Sequence, residues 1–80
     1  MVMYEAGMLA RSKAGHDKAQ MYIIKEVDDT YVYLVDGRIR TLGHPKKKKK
    51  KHVQIVHGIY NMKELDDAGI RKLIKDWMKE

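Results

Sequence analysis

Short strand-like segments separated by turn-forming residues fill most of the first 57 positions, and this pattern constrains the fold most. The segments are rich in β-branched, aromatic or alternating side chains and are too short for typical helices. They are residues 7–14, 20–27, 31–35, 38–42 and 52–56. The turn-forming residues between them are Gly15, Asp28 with Asp29, Asp36 with Gly37, and Gly43 to Pro45. Five short strands with tight turns predict a small, partly open β-barrel that protects its edges by curling.

The dipeptide Asp36-Gly37 is the strongest hairpin signal in the chain. Asp-Gly between apolar runs is typical of a type I′ turn, because both central residues of that turn need a positive φ. Residues 38–42 are therefore predicted to return antiparallel to 31–35, with Arg38 and Arg40 on one face and Ile39 on the other. In the second segment Ile23 and Ile24 are adjacent, so the alternation does not tell which face is core.

The C-terminal residues change to a helical pattern. Asp66 or Asp67 is a suitable cap for a helix that runs to about Lys79. Its apolar stripe consists of Ile70, Leu73, Ile74, Trp77 and Met78. A lone helix of this length is marginal, so we expect the stripe to pack on the barrel. A helix that binds a partner through Trp77 is the alternative. The predicted organisation is a barrel at 1–57, with a basic loop at 44–52, and the amphipathic helix within 58–80.

The positive charge of the chain is local. The chain has 17 Lys and Arg against 11 Asp and Glu, for a net charge of +6. Eight of the 17 lie within residues 38–52, which contain no acidic residue, and the nine elsewhere are fewer than the acidic residues. We expect the run of six lysines to form a loop that contacts a polyanion through its phosphates. Such contacts make affinity fall steeply with salt and add little sequence specificity. A solvated loop or a nuclear-targeting patch is the alternative.

Composition and motifs argue against several other classes of function. Eighty residues make at most one domain. Without cysteine, the chain has no disulfide and no thiolate metal site, which fits a reducing cytosol. The four histidines lack metal-ligand spacing, and no nucleophile motif or phosphate-binding glycine loop is present. We therefore expect no catalysis, no metal, no cofactor and no small-molecule substrate.

Hydropathy gives no sign of a membrane protein. The N-terminus lacks the pattern of a signal peptide, and no stretch approaches the ~18 apolar residues that a span needs. The lysine run lacks a flanking apolar anchor, which makes binding to anionic membranes the weaker interpretation. A cytoplasmic protein is expected.

The order of these features resembles a known family. Residues 7–27 look like a KOW motif, the strand–loop–strand unit of several ribosomal proteins and transcription elongation factors, with Gly15 at the characteristic loop glycine. Ala19 departs from the pattern, because many KOW loops have a second glycine there. Residues 36–40, Pro45, the basic run and residues 52–56 are similar to the archaeal and eukaryotic large-subunit ribosomal protein family fourteen-e. They are closer still to short bacterial KOW-domain RNA-binding proteins.

This resemblance covers roughly residues 5–57. It implies a mainly β fold with a five-stranded SH3-like barrel of KOW type. The C-terminal α-helix is not part of the motif and is predicted from its apolar stripe alone. The resemblance also implies a non-catalytic protein that binds ribosomal or other structured RNA. The alternative is a protein-interaction module of the transcription or translation machinery that uses the barrel surface or the Trp77 helix.

Thirteen side chains are the candidates for RNA contact. They comprise the basic residues around Gly15, the two arginines after the hairpin, and the lysine run with the histidine that follows it. They are Arg11, Lys13, His16, Lys18, Arg38, Arg40, Lys46, Lys47, Lys48, Lys49, Lys50, Lys51 and His52. Tyr22, Tyr31 and Tyr33 can stack on unpaired bases, but we expect each of them to pack in the core.

Overall fold

A computed structural model describes residues 3–13 and 20–78, except for the side chain of His57. The chain forms five strands followed by one α-helix. The strands are β1 (Met8–Ser12), β2 (Met21–Val27), β3 (Tyr31–Val35), β4 (Lys46–Lys49) and β5 (Val53–Ile59), and the helix is α1 (Asp67–Met78). Single 3₁₀ turns at Lys50–His52 and Met62–Glu64 precede and follow β5.

The strands form one curled antiparallel sheet in the order β4-β3-β2-β1-β5. Register shifts interrupt the pairing of β1 with β5 around Leu9, and the pairing of β2 with β3 between Ile24 and Glu26. An irregular residue in a ladder bends its strand and increases the twist. The sheet curls into a half-barrel with β4 and β5 at its edges, which confirms a mainly β, five-stranded fold with a C-terminal helix.

Each face of the sheet contributes a cluster of buried residues. One cluster contains no helical residue and lines the inside of the curl: Ala10, Tyr22, Ile24, Val32, Leu34 and Val53. The other lies between the outer face and α1: Leu9, Ile23, Val35, Ile70 and Ile74. The adjacent Ile23 and Ile24 are both fully buried, one in each cluster. Their adjacency in the sequence thus reflects a strand that is covered on both faces.

The helix begins at its predicted cap and packs on the sheet. Asp66 Oδ1 accepts a hydrogen bond from the backbone N–H of Gly69 at 2.7 Å, which satisfies a donor of the first turn. Ile70 and Ile74 are buried against the outer face, with Leu73 and Trp77 half-buried beside them. Met78, the last residue of the predicted stripe, is 56% exposed. Within the described residues, no helix has the length and apolar character to cross a bilayer.

The predicted strand at 38–42 is wrong. Gly37 has φ +77°, but no described residue other than glycine has a positive φ, so Asp36 does not form the type I′ turn. Asp36 Oδ1 instead accepts from the backbone N–H groups of Arg38 and Arg40, each at 2.9 Å. These donors are therefore bonded within the loop rather than to a neighbouring strand, and β4 takes the place beside β3.

Two residues of α1 hold the segment 37–42 against the helix. Arg71 Nη1 donates to the carbonyl of Gly37 at 2.6 Å, and the N–H of Leu42 donates to Asp67 Oδ1 at 2.8 Å. From the sheet, Lys25 Nζ donates to the carbonyl of Leu42 at 2.9 Å. The segment is thus a loop bonded at both ends, and it connects β3 to the lysine run.

Candidate functional site

The lysine run is an edge strand and a 3₁₀ turn, so the prediction of a basic loop across 44–52 is wrong for its central part. Lys46–Lys49 pair with Tyr31–Leu34 of β3, with Lys46 opposite Leu34 and Lys49 opposite Tyr31. Lysine has low strand propensity, but its backbone pairs like any other and an edge strand tolerates charged side chains. Because successive strand residues point to opposite faces, the pairing divides the lysines into two sets.

The even-numbered lysines contact the protein itself. Lys48 lies opposite the buried Val32, and its Nζ donates to Ser12 Oγ at 2.6 Å. Ser12 belongs to β1, and β3 and β2 lie between β4 and β1 in the sheet. This bond therefore crosses the inside of the curl. Lys46 Nζ lies 5.8 Å from the ring centroid of Tyr22, a residue of the inner cluster. Both lysines are half-buried.

Lys50 is held in the same way at the start of the 3₁₀ turn. Its backbone N–H donates to the carbonyl of Thr30 at 3.0 Å, and its Nζ donates to the carbonyl of Asp29 at 3.2 Å. Its own carbonyl accepts from the Tyr4 hydroxyl at 3.0 Å, and its Nζ lies 5.8 Å from the Tyr4 ring centroid. The even-numbered lysines therefore fix the position of β4 and of the turn that follows it.

The odd-numbered lysines face solvent. Lys47, Lys49 and Lys51 are all exposed. Lys47 Nζ lies 4.3 Å from the ring centroid of Tyr31 on the neighbouring strand. The face of an aromatic ring attracts a nearby cation, so this contact restricts the positions that the Lys47 ammonium takes. These three side chains present their charge outward from a backbone that their even-numbered neighbours hold.

Three more predicted residues join this surface near the end of β1. The backbone N–H of Lys13 donates to the carbonyl of His52 at 2.9 Å, and both residues are exposed. Arg11, also exposed, pairs in register with Gln54 of β5. We call the resulting surface the basic strip; its members are Arg11, Lys13, Lys47, Lys49, Lys51 and His52.

Four of the predicted candidates are not members of the basic strip and do not belong to the lysine run. His16 and Lys18 fall outside the described residues. Arg38 and Arg40 are exposed in the loop after β3, so the prediction that they share a strand face is wrong. Arg38 lies beside α1.

The tyrosines of this region have different environments. Tyr22 is 5% exposed in the inner cluster, which confirms its predicted packing role. Tyr31 and Tyr33 are half-buried on β3. The Tyr33 hydroxyl donates to Asp28 Oδ2 at 2.9 Å. This hydrogen bond raises the pKa of Tyr33.

Asp28 organises the turn between β2 and β3. Its Oδ1 accepts from the backbone N–H groups of Tyr31 at 2.7 Å and Thr30 at 2.9 Å. These two bonds, followed by the bond from Tyr33, lower the pKa of Asp28, because they stabilise the carboxylate. An ionised Asp28 lies close to the strip, and Lys47 adds a small favourable charge to the same effect.

The side chains that bind the even-numbered lysines were not among the predicted site residues. Neither Tyr4 nor Ser12 carried a motif that marked it. Ser12 had one usable signal, since alternation places it on the same strand face as Ala10, which is fully buried.

Among residues 3–13 and 20–78, no group of three or more His, Cys, Asp or Glu side chains is arranged to hold a metal ion.

No protein-family model matches the sequence, and a search of curated proteins finds no significant match.

Proposed function

We propose that the chain is an SH3-like barrel of KOW type that binds structured RNA, ribosomal RNA in particular, without catalysing a reaction. The observation that carries the proposal is the division of the lysine run. Three of its lysines are exposed at alternate positions, while the other three hold the strand in place. A lysine run whose only role was to keep the protein in solution would not need three of its side chains to bind the rest of the fold.

The topology supports the barrel part of the proposal. The edge strands β4 and β5 are consecutive in the chain and only the Lys50–His52 turn separates them. The Lys48–Ser12 bond draws β4 toward β1, and the Lys13–His52 bond draws the turn toward the same strand. These contacts favour closure of the curl, as the resemblance of residues 7–27 and 36–56 to KOW proteins implies.

The chemistry of the basic strip suits phosphate contacts. A lysine ammonium is a compact point charge that binds phosphate without the planar, bidentate geometry of arginine. Its contacts fix the position of an RNA but carry no sequence information. Selectivity for structured RNA then depends on how the curved sheet fits the shape of the partner. Because β4 is already bonded to the sheet, binding orders the side-chain ends rather than a whole loop.

The test compares two variants of equal charge. One carries Lys47→Gln, Lys49→Gln and Lys51→Gln; the matched control carries Lys63→Gln, Lys72→Gln and Lys75→Gln, at exposed lysines outside the basic strip. Binding to ribosomal RNA fragments is measured across a salt series. The first variant is expected to lose about 2 to 3 units of the slope of log affinity against log salt, since three phosphate contacts are removed. The control is expected to keep most of the slope.

Circular dichroism of both variants establishes that each is folded under the binding conditions. Equal loss of slope in the two variants would mean that net charge alone attracts RNA, and the basic strip would have no special role. Equal affinity for a ribosomal fragment and for unstructured polyuridylate would refute the structured-RNA part of the proposal. Crosslinking in cells, followed by sequencing of the attached RNA, tests for ribosomal RNA and for the expected cytoplasmic setting.

A further inference from the structure

A groove of about 490 Å³ lies between the loop after β3 and α1. Two large apolar side chains line it and remain exposed: Ile39, at 78%, and Met78, at 56%. Exposed apolar side chains are common singly, whereas exposed apolar surface gathered in one place and rimmed by polar residues is a feature of interaction sites. Among the described residues, no member of the basic strip lines this groove.

The loop that carries Ile39 is held in place. Asp36 accepts from the N–H groups of Arg38 and Arg40, on either side of Ile39, and Arg71 bonds to the carbonyl of Gly37. Hydrogen bonds on both sides of Ile39 thus hold the backbone from which its exposed side chain projects. Because the backbone of the loop is already held, a partner that covers Ile39 does not have to order the loop.

The charges around the groove are mainly positive. Arg38, Arg71 and Lys75 line it, against the single carboxylate of Asp36. That carboxylate already accepts two backbone N–H groups through Oδ1. A partner therefore meets a surplus of cations beside two apolar contacts.

We propose that this groove binds a short acidic segment of another protein that carries large apolar side chains. Carboxylates of the segment pair with the rim of Arg38, Arg71 and Lys75, and its apolar side chains cover Ile39 and Met78. The apolar pair favours protein over nucleic acid here, because phosphates and sugars offer Ile39 and Met78 little apolar surface to bury. The groove and the basic strip would then let one small protein hold an RNA and a protein together.

The test uses three labelled peptides of equal length and fluorescence anisotropy with the full chain. One is composed of leucine and glutamate, one of serine and glutamate, and one of leucine and lysine. The leucine–glutamate peptide is expected to bind, and the other two to bind at least about tenfold more weakly. The serine–glutamate peptide lacks the apolar side chains, and the leucine–lysine peptide lacks the carboxylates. Equal binding of the two acidic peptides would overturn the apolar part, and equal binding of the two leucine peptides would overturn the charge part.

Matched variants locate the binding. Ile39→Ser and Met78→Ser are each expected to weaken the leucine–glutamate peptide about tenfold. Ile59→Ser, at a residue 62% exposed and outside the groove, is expected to have no effect. All three positions are exposed, so folding is retained. Unchanged binding in both groove variants would overturn the proposal.

Two further measurements test whether the groove instead binds a second copy of the protein or RNA. Sedimentation of the protein alone tests for a second copy; self-association that Ile39→Ser abolishes would overturn the proposal in favour of a dimer. Binding of ribosomal RNA fragments is expected to be the same in Ile39→Ser as in the natural chain. Loss of RNA affinity in that variant would assign the groove to RNA instead.

Discussion

The ammonium of Lys48 donates a hydrogen bond to the hydroxyl of Ser12 at 2.6 Å, across the inside of the curled sheet. Ser12 is 1% exposed, so its hydroxyl lies away from solvent. A hydrogen bond to a charged group stabilises a fold more than a neutral one does. One lysine of the basic run thus joins β4 to β1 across the two strands that separate them in the sheet.

A double-mutant cycle measures this bond. Ser12→Ala and Lys48→Met are expected to couple by about 1 kcal/mol in the free energy of unfolding, because each change removes one partner of the same bond. Urea denaturation followed by circular dichroism gives the energies. The control cycle, with Lys49→Met in place of Lys48→Met, is expected to show coupling near zero, because Lys49 is exposed. Similar coupling in the two cycles would contradict the bond's contribution.

Gly37 is required where it lies, and Gly43 is not. Gly37 has φ +77°, and a Cβ there would overlap the carbonyl oxygen of Asp67 and crowd the backbone of Arg71. Gly37→Ala is expected to cost more than about 1 kcal/mol of stability, because both the backbone conformation and the contact with α1 are incompatible with a side chain. Gly43→Ala meets nothing within 4 Å and is expected to be neutral or slightly stabilising. Thermal unfolding of the two variants tests the contrast.

The parts of the fold that were predictable are those where local pattern and tertiary packing agree. The segment Tyr31–Val35 and the helix with its Asp66 cap are strongly marked in the sequence, and both are confirmed. The pair Ile23 and Ile24 gave no answer about faces, because a strand buried on both sides loses its alternation. Ile23 is buried because α1 covers that face of the sheet, and the pattern of β2 alone does not show this contact.

The errors have two sources: a side chain that competes for backbone donors, and a strand register that identical residues do not specify. Arg38 to Leu42 alternate like a strand, yet the Asp36 side chain binds the backbone N–H groups of Arg38 and Arg40. Six identical lysines have no alternation at all, so their division into two sets depends on the register with β3. The positive charge of the site was therefore predictable from the sequence, whereas the choice of exposed lysines was not.

The packing of α1 on the sheet is expected to be essential for folding. Ile70 is fully buried between the helix and the outer face, and Ile70→Ala is expected to cost about 2–5 kcal/mol through lost contacts and a cavity. In a domain of this size that is a large share of the total stability. Met78→Ala, at the exposed end of the same stripe, is expected to change stability by less than about 0.5 kcal/mol. Equal effects in urea denaturation would mean that the helix does not anchor through Ile70.

The last prediction concerns pH and the bond between Asp28 and Tyr33. The folded-state pKa of Asp28 lies below its ordinary value of 3.8, chiefly because the N–H groups of Tyr31 and Thr30 bind the carboxylate. The ionised carboxylate therefore stabilises the fold above pH 3.8, and this contribution is lost as the pH falls through the folded pKa. The difference in unfolding free energy between the natural chain and Asp28→Asn is expected to be constant near neutrality and to shrink in acid.

Tyr33 provides the second readout of the same bond. Its pKa lies above the ordinary 10.0, first because its hydroxyl donates to Asp28 and then through burial. In Asp28→Asn the negative charge is gone, so the pKa of Tyr33 is expected to fall toward 10.0 in a titration of phenolate absorbance. In Tyr33→Phe the pKa of Asp28 is expected to stay below 3.8, because the two backbone donors remain. A return of the Asp28 pKa to its ordinary value in Tyr33→Phe would instead make the phenol its main partner.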